Sequence, residues 1–238
     1  MIKELANIRR VKDIEYQLLP GSSRKRVAIT IERNGTVILK RPFNCTPEQA
    51  DAVIAKKYLW ICRNLAEQKE LNASAVVREY VKGESFLYLG RPYRLALKPN
   101  QNCNLKIEDD YFCLDSRIIE QGGDAAAKKA FIAFYTEKGK QHFSDRVNHF
   151  APKIGVEPLQ IKVKGMATRW GSCGKRLNFN WACMMATYTV IDYIVVHELC
   201  HIHHRNHSKL FWDEVEKIMP DYRERKDWLK KYGASLTI

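Results

Sequence analysis

Hydrophobic and polar positions along this chain change period several times, and the changes mark its elements. Val27, Ile29 and Ile31 alternate with polar residues up to Arg33-Asn34-Gly35-Thr36, and Val37 and Leu39 resume the alternation beyond. A period of two on both sides of Asn-Gly predicts a β-hairpin. Thr46-Pro47-Glu48 then opens a helix expected over 46–68, with Thr46 as N-cap and Pro47 in the first helical position. Val53, Ile54, Tyr58, Ile61, Cys62 and Leu65 line one side of it. Short strands are expected near 86–89, 93–97, 105–108 and 111–114, with turns at Gly90-Arg91-Pro92 and Asp109-Asp110. Gln121-Gly122-Gly123-Asp124 interrupts the pattern, and Asp124 is placed to cap a long helix over 125–150. Three further strands are expected at 159–163, 166–170 and 177–181, the last two joined by a turn at 171–174.

These elements predict an α+β protein in two parts. Residues 1–123 form a mostly β N-terminal region with one helix. Residues 124–238 form a largely helical domain with a short three-stranded sheet. No internal repeat or low-complexity tract is evident.

The chemistry is concentrated near the C-terminus. His197-Glu198-Leu199-Cys200-His201 is a His-Glu-x-x-His sequence, with His207 six residues further on. Positions i and i+4 share a helix face, so His197 and His201 present two imidazoles to one point. Glu198 lies beside the first of them, placed to take a proton from water on a metal without ligating it. Thr189-Val190-Ile191-Asp192 fits a capping box that would start this helix. The β-branched run from Val190 to Val196 would favour a strand on propensity alone. The plainer reading is a His-rich helix end that binds metal adventitiously or not at all.

A third ligand requires a separate choice. Asn206 can end the helix in a left-handed turn, and Ser208 can cap the next one. His207 would then lie between two helices, free to bend back towards the metal. His204 on the same face, and Glu214 or Glu216 on the following helix, are its rivals. His203 points elsewhere, towards solvent.

Around these residues, Thr168-Arg169-Trp170-Gly171-Ser172-Cys173, Leu177-Asn178-Phe179-Asn180-Trp181, Asn206-His207-Ser208, Phe211-Trp212 and Pro220-Asp221-Tyr222-Arg223 resemble the bacterial YgjP-like metallohydrolases. The resemblance extends to Ser23-Arg24-Lys25-Arg26 and Asn34-Gly35, and so covers most of the chain. It implies a zincin-like C-terminal domain, kinship with minigluzincin-type and SprT-like metallopeptidases, and His197, His201 and His207 as ligands of one zinc ion per chain. Another divalent transition metal remains an alternative. Some members of the family are described as uridine triphosphate pyrophosphatases, so the resemblance implies the site more strongly than the reaction.

Composition bears on compartment and partners. With 238 residues the chain is long enough for one large domain or two small ones. Met1-Ile2-Lys3-Glu4-Leu5-Ala6 has no apolar signal-peptide core, and no segment offers a membrane-spanning run of about eighteen apolar residues. Seven scattered cysteines without a Cys-x-x-Cys pair suit a reducing compartment, and a cytoplasmic location is expected. The net charge is +13, and Arg9, Arg10, Lys12, Arg24, Lys25, Arg26, Lys40 and Arg41 make the N-terminal region basic. Such a surface attracts polyanions, nucleic acid among them, although a solvated basic face is the simpler account.

Arg169, Ser172 and Tyr193 are candidate cleft contacts, the first two for an oxyanion or phosphate and Tyr193 for a transition-state hydrogen bond. Against this, Gly171 and Gly174 alone explain a turn there, and Trp170 and Tyr193 read as core. Cys173 and Cys200 read as small apolar fillers. The function expected is a zinc metallopeptidase acting on a peptide or protein. A metal-dependent uridine triphosphate pyrophosphatase is one alternative, although phosphate chemistry usually recruits oxygen-ligated magnesium. A non-catalytic basic module with structural zinc, completed by a fourth ligand such as Cys173, is another.

Overall fold

A computed structural model describes residues 7–32, 34–72 and 77–238. The chain divides into two compact units, Met1–Ser74 and Ala75–Ile238.

In the first unit, strands β1 (Asn7–Val11) and β2 (Ile14–Leu18) form an antiparallel hairpin, and β3 (Ala28–Ile31) pairs antiparallel with β4 (Val37–Lys40). Parallel pairing of β2 with β4 gives the order β1-β2-β4-β3. Two helices follow, α1 (Pro47–Lys56) and α2 (Tyr58–Asn72). Thr46 caps α1 in a complete capping box with Gln49. The single helix expected over 46–68 is broken at Lys57, which leaves helical geometry (φ −98°, ψ 9°) and shares its N–H between Val53 and Ile54. Neither Pro nor Gly lies near the break, so the sequence carries no signal for it. Ile14, Tyr16, Leu18, Val37, Leu39, Ala50, Ile54 and Ile61 make the core of this unit. Part of the basic surface is structural: Arg9 forks onto Asp51 (2.5 and 3.1 Å), and Arg41 donates to the Cys45 carbonyl.

The second unit opens with β5 (Ser85–Tyr88), β6 (Arg91–Lys98), β7 (Leu105–Glu108) and β8 (Tyr111–Asp115), ordered β5-β6-β8-β7 with β6 and β8 parallel. Asp115 then caps α3 (Ser116–Ile154), which contains one non-helical residue, Gly123, at φ 56° and ψ −155°. The expected interruption at 121–124 is therefore a kink within a helical stretch that starts nine residues before the expected residue 125. Phe86, Phe112, Phe131 and Tyr135 form one aromatic cluster that locks this sheet to α3. For that reason the boundary falls at Ser74/Ala75 and not at 123/124: the four strands have no core apart from α3.

A three-stranded sheet follows, with β9 (Ile161–Lys164), β10 (Gly171–Cys173) and β11 (Leu177–Asn180) in the order β10-β11-β9. The strand expected at 166–170 is absent; the second strand in chain order, β10, begins instead at Gly171, where a turn was expected. Phe179 of β11 stacks on Phe143 of α3 at 4.2 Å and 5°. A 3-10 turn, Trp181–Met185, leads into α4 (Tyr188–Cys200), followed by α5 (Lys209–Ile218) and α6 (Tyr222–Tyr232).

Helix α4 runs straight through the β-branched stretch, with Val190, Ile191, Ile194, Val195, Val196 and Leu199 all buried. The lost helix propensity is about 0.7 kcal/mol or less per residue, whereas burying each aliphatic side chain contributes about 1.5–3 kcal/mol. Burial decides the helix. Its N-cap is Thr187, two residues before the expected Thr189, and Asp192 serves another purpose. Arg146 of α3 forks onto Asp192 at 2.6 and 2.9 Å and ties the two helices together. No helix among the described residues is long and apolar enough to cross a membrane.

Candidate metal centre

His197, Glu198 and His201 come from the last turn of α4, where His201 is the C-terminal cap and keeps near-helical angles (φ −68°, ψ −12°). The chain then turns, and Ser208 caps α5 by accepting a hydrogen bond from the Phe211 N–H. Asn206 is not in the left-handed region, so the turn is made without that terminator. His207 lies in this turn and bends back. One ligand nitrogen from each of His197, His201 and His207 falls within 4.8 Å of the others, and the Nε2 atoms of His197 and His207 are 3.0 Å apart. A tetrahedral ion with bonds of about 2.05 Å spaces its nitrogens by about 3.3 Å, which these separations bracket.

The supports of each ring are visible. His201 donates from Nδ1 to the His204 carbonyl at 2.8 Å, which turns its Nε2 to the centre. Phe211 stacks beneath His201 at 4.6 Å and 28°. Trp212 stacks on His207 at 5.6 Å and 22°, and Tyr222 stacks on Trp212 at 5.2 Å and 14°. An aromatic column thus holds the exposed third ring in place. Tyr193 is buried, and its hydroxyl lies 3.5 Å from His197 Nδ1, the limit of hydrogen-bonding range. Burial, reinforced by the charges that His201 and His207 would carry, pushes His197 down to about 3. The ring is neutral at neutral pH, with a lone pair free to ligate.

The rival ligands are otherwise engaged. His203 Nδ1 donates to Glu214 Oε1 at 2.8 Å, and His204 Nε2 lies 3.4 Å from Glu214 Oε2. Glu216 is forked by Arg223 at 2.6 and 3.3 Å. His203 is exposed, as expected, but is paired.

Glu198 is only 6 % exposed, and its Oε2 has no hydrogen-bond partner. Burial raises its carboxyl to about 7, against the opposing charge of Arg169. The side chain lies directly against Gly171: a Cβ there would come within 2.6 Å of Glu198 Cγ and 2.7 Å of Oε1. A glycine in a strand where another group approaches closely is a recurrent device.

One cavity of about 490 Å³ gathers the three histidines and Glu198 with Arg169, Trp170, Gly171, Ser172, Cys173, Tyr193, Ile194, Arg205 and Leu229. Arg169, Ser172 and Tyr193 thus line the same cavity as the three histidines and Glu198, with differences of role, whereas His203, His204, Glu214, Glu216 and Cys200 do not line it. Arg169 is exposed at the wall. Ser172 accepts a hydrogen bond from Asn178 Nδ2 at 3.1 Å. Tyr193 backs the His197 ring. Burial raises the Cys173 thiol above its ordinary range, and Cys173 is outside the group of converging metal donors. Cys200 is fully buried and its thiol is pushed up to about 12. The roles of Gly171, Arg205 and the Phe211-Trp212-Tyr222 column went unread in the sequence. Gly171 was legible in principle, as a glycine inside a strand.

A trio of imidazoles open on one side and a buried carboxylate thus share one cavity on an α+β frame, the donor set a metal-dependent hydrolase uses. The model of the YgjP-like metallopeptidase domain matches residues 25–232, and the chain belongs to that family. Membership implies a metallopeptidase-type hydrolase that uses a catalytic metal. Among solved structures, the crystal structure of the metallopeptidase zymogen of Pyrococcus abyssi abylysin is similar over 40 % of this chain and 99 % of that one, at 21 % identity and a TM-score of 0.37. No curated protein matches the chain.

Proposed function

We propose that this chain is a zinc metallopeptidase in which His197, His201 and His207 hold one ion and Glu198 is the general base. The observation that carries the reading is the convergence of three supported imidazoles and one partnerless buried carboxylate on a single cavity. The donors suit zinc: neutral nitrogens, three in number, with one position left for water or substrate. When bound, such an ion supplies a Lewis acid that makes water more acidic and offsets charge developing on a carbonyl oxygen. Glu198 takes the proton of the attacking water and returns it to the leaving amine. Its raised carboxyl favours the return step, and Glu198 would be held lower for the uptake step by the charge of an ion bound to the three histidines. The charge Arg169 exerts on Glu198 acts in the same downward direction.

Substrate seating follows from topology. β10 is an edge of its sheet and also lines the cavity, so an extended peptide can add to it by backbone pairing beside Glu198. The uridine triphosphate pyrophosphatase reading finds support in one observation, the two arginines on the cavity wall. The structural-zinc reading has no fourth donor to support it among the described residues, since Cys173 stands apart. Metal analysis of protein purified without added metal, followed by Glu198→Gln, tests the proposal. The expected result is about one zinc per chain in both proteins, with peptide hydrolysis lost only in the variant. Full activity in the variant refutes the role of Glu198.

A further inference from the structure

We infer that the cleft selects peptides bearing a carboxylate within a residue or two of the scissile bond, received by Arg169 and Arg205. The inference rests on the peptidase reading and adds its substrate class.

The cavity has two cationic walls. Arg169 precedes β10, and Arg205 lies in the turn between α4 and α5 that also carries His207. Neither guanidinium has a hydrogen bond or ion pair among the described residues. Several other arginines of this unit are paired. Arg146 is forked by Asp192, Arg223 by Glu216, and Arg225 pairs with Asp221 at 2.7 Å. Among the described residues, Glu198 is the only carboxylate lining the cavity, and it is buried. Two exposed guanidinium groups with donors to spare, paired with no carboxylate among the described residues, make a receptor for an anion that arrives with the substrate.

The chemistry of that anion follows from the rest of the site. A guanidinium presents a planar fork that matches a carboxylate through two parallel hydrogen bonds. A peptide laid along β10 brings carboxylates in two ways, as an Asp or Glu side chain or as its own C-terminus. Trp170, Ile194 and Leu229 supply apolar wall for the residues beside it.

The experiment uses matched peptides that differ only as Glu against Gln at each position flanking the cleaved bond, each with a free or an amidated C-terminus. Turnover is measured on the metal-loaded wild type, and affinity by calorimetry on metal-loaded Glu198→Gln, which separates binding from reaction. The wild type is expected to favour one carboxylate-bearing form by about tenfold or more in kcat/KM, with a matching ratio in Kd. Arg169→Gln or Arg205→Gln should collapse that ratio, and Arg205→Glu should turn it towards peptides with Lys at the same position. Dependence on the free C-terminus identifies a C-terminal carboxylate, and dependence on Glu identifies a side chain. Both outcomes support the inference. Equal turnover of all forms by the wild type, or an unchanged ratio in both Gln variants, overturns it while leaving the peptidase reading intact. Glu198-dependent hydrolysis of uridine triphosphate with no peptide cleaved overturns both.

Discussion

Replacing Gly171 with alanine perturbs the seat of Glu198 without touching a metal donor. The added methyl would stand 2.6 Å from Glu198 Cγ, 2.7 Å from Oε1 and 2.9 Å from Cδ. Carbon atoms in contact sit about 3.5–4.0 Å apart, so the carboxylate must retreat by about 1 Å. It has little room to do so, being 6 % exposed and carried on a helix buried along Val195, Val196 and Leu199. Overpacking of this kind costs about 1–3 kcal/mol of stability. For a unit of this size that lowers Tm by roughly 2–12 °C. A base displaced by about 1 Å loses about a hundredfold in rate. The assay is kcat/KM on a peptide substrate, with zinc content and Tm measured on the same samples. The expected result is normal zinc, a modest fall in Tm and activity reduced by about two orders of magnitude. Gly174→Ala is the control, because its Cβ would meet nothing within 4 Å. Should Gly171→Ala retain wild-type kcat/KM, Glu198 does not act from the position it occupies here.

Other outcomes follow from the same geometry. Trp212→Ala removes the ring stacked on His207 and should weaken zinc binding by about 10- to 100-fold in a chelator competition, far more than the exposed Trp60→Ala. His207→Ala should lose zinc, whereas Glu214→Gln should bind it nearly as well, since Glu214 faces His203 and His204; the reverse pattern would make Glu214 the third ligand. His142 is held below its usual range by burial, and its Nε2 has no partner. The unfolded chain takes up a proton near pH 6.5 that the folded chain refuses, so stability falls as pH drops through that value and is unaffected above it. Denaturant midpoints between pH 7.5 and 5.5 should decline less steeply for His142→Phe than for the wild type; equal slopes would place His142 in a solvated setting.

What was legible in the sequence was whatever is fixed by local spacing. The His-Glu-x-x-His interval requires a helix to be useful, and Ser208 and Thr46 announce their helices by hydrogen bonds that span only three residues. Elements defined by distant partners were harder to read. β1 is mostly exposed and rich in arginine, so its sequence resembles a basic tail until it pairs with β2. Asp192 looks like a cap until Arg146, 46 residues away, is seen to claim it. The run 121–124 reads as a domain boundary because two glycines break a helix pattern, but the aromatic cluster on both sides of it makes one core. Gly171 showed only a turn, because the carboxylate it admits comes from another element.

X-ray absorption at the zinc edge of the metal-loaded protein tests the central claim most directly. Three imidazole nitrogens at about 2.0–2.1 Å with one further light atom are expected, and no sulfur shell. A sulfur scatterer at about 2.3 Å would place Cys173 in the coordination sphere and turn the catalytic centre into a closed structural site.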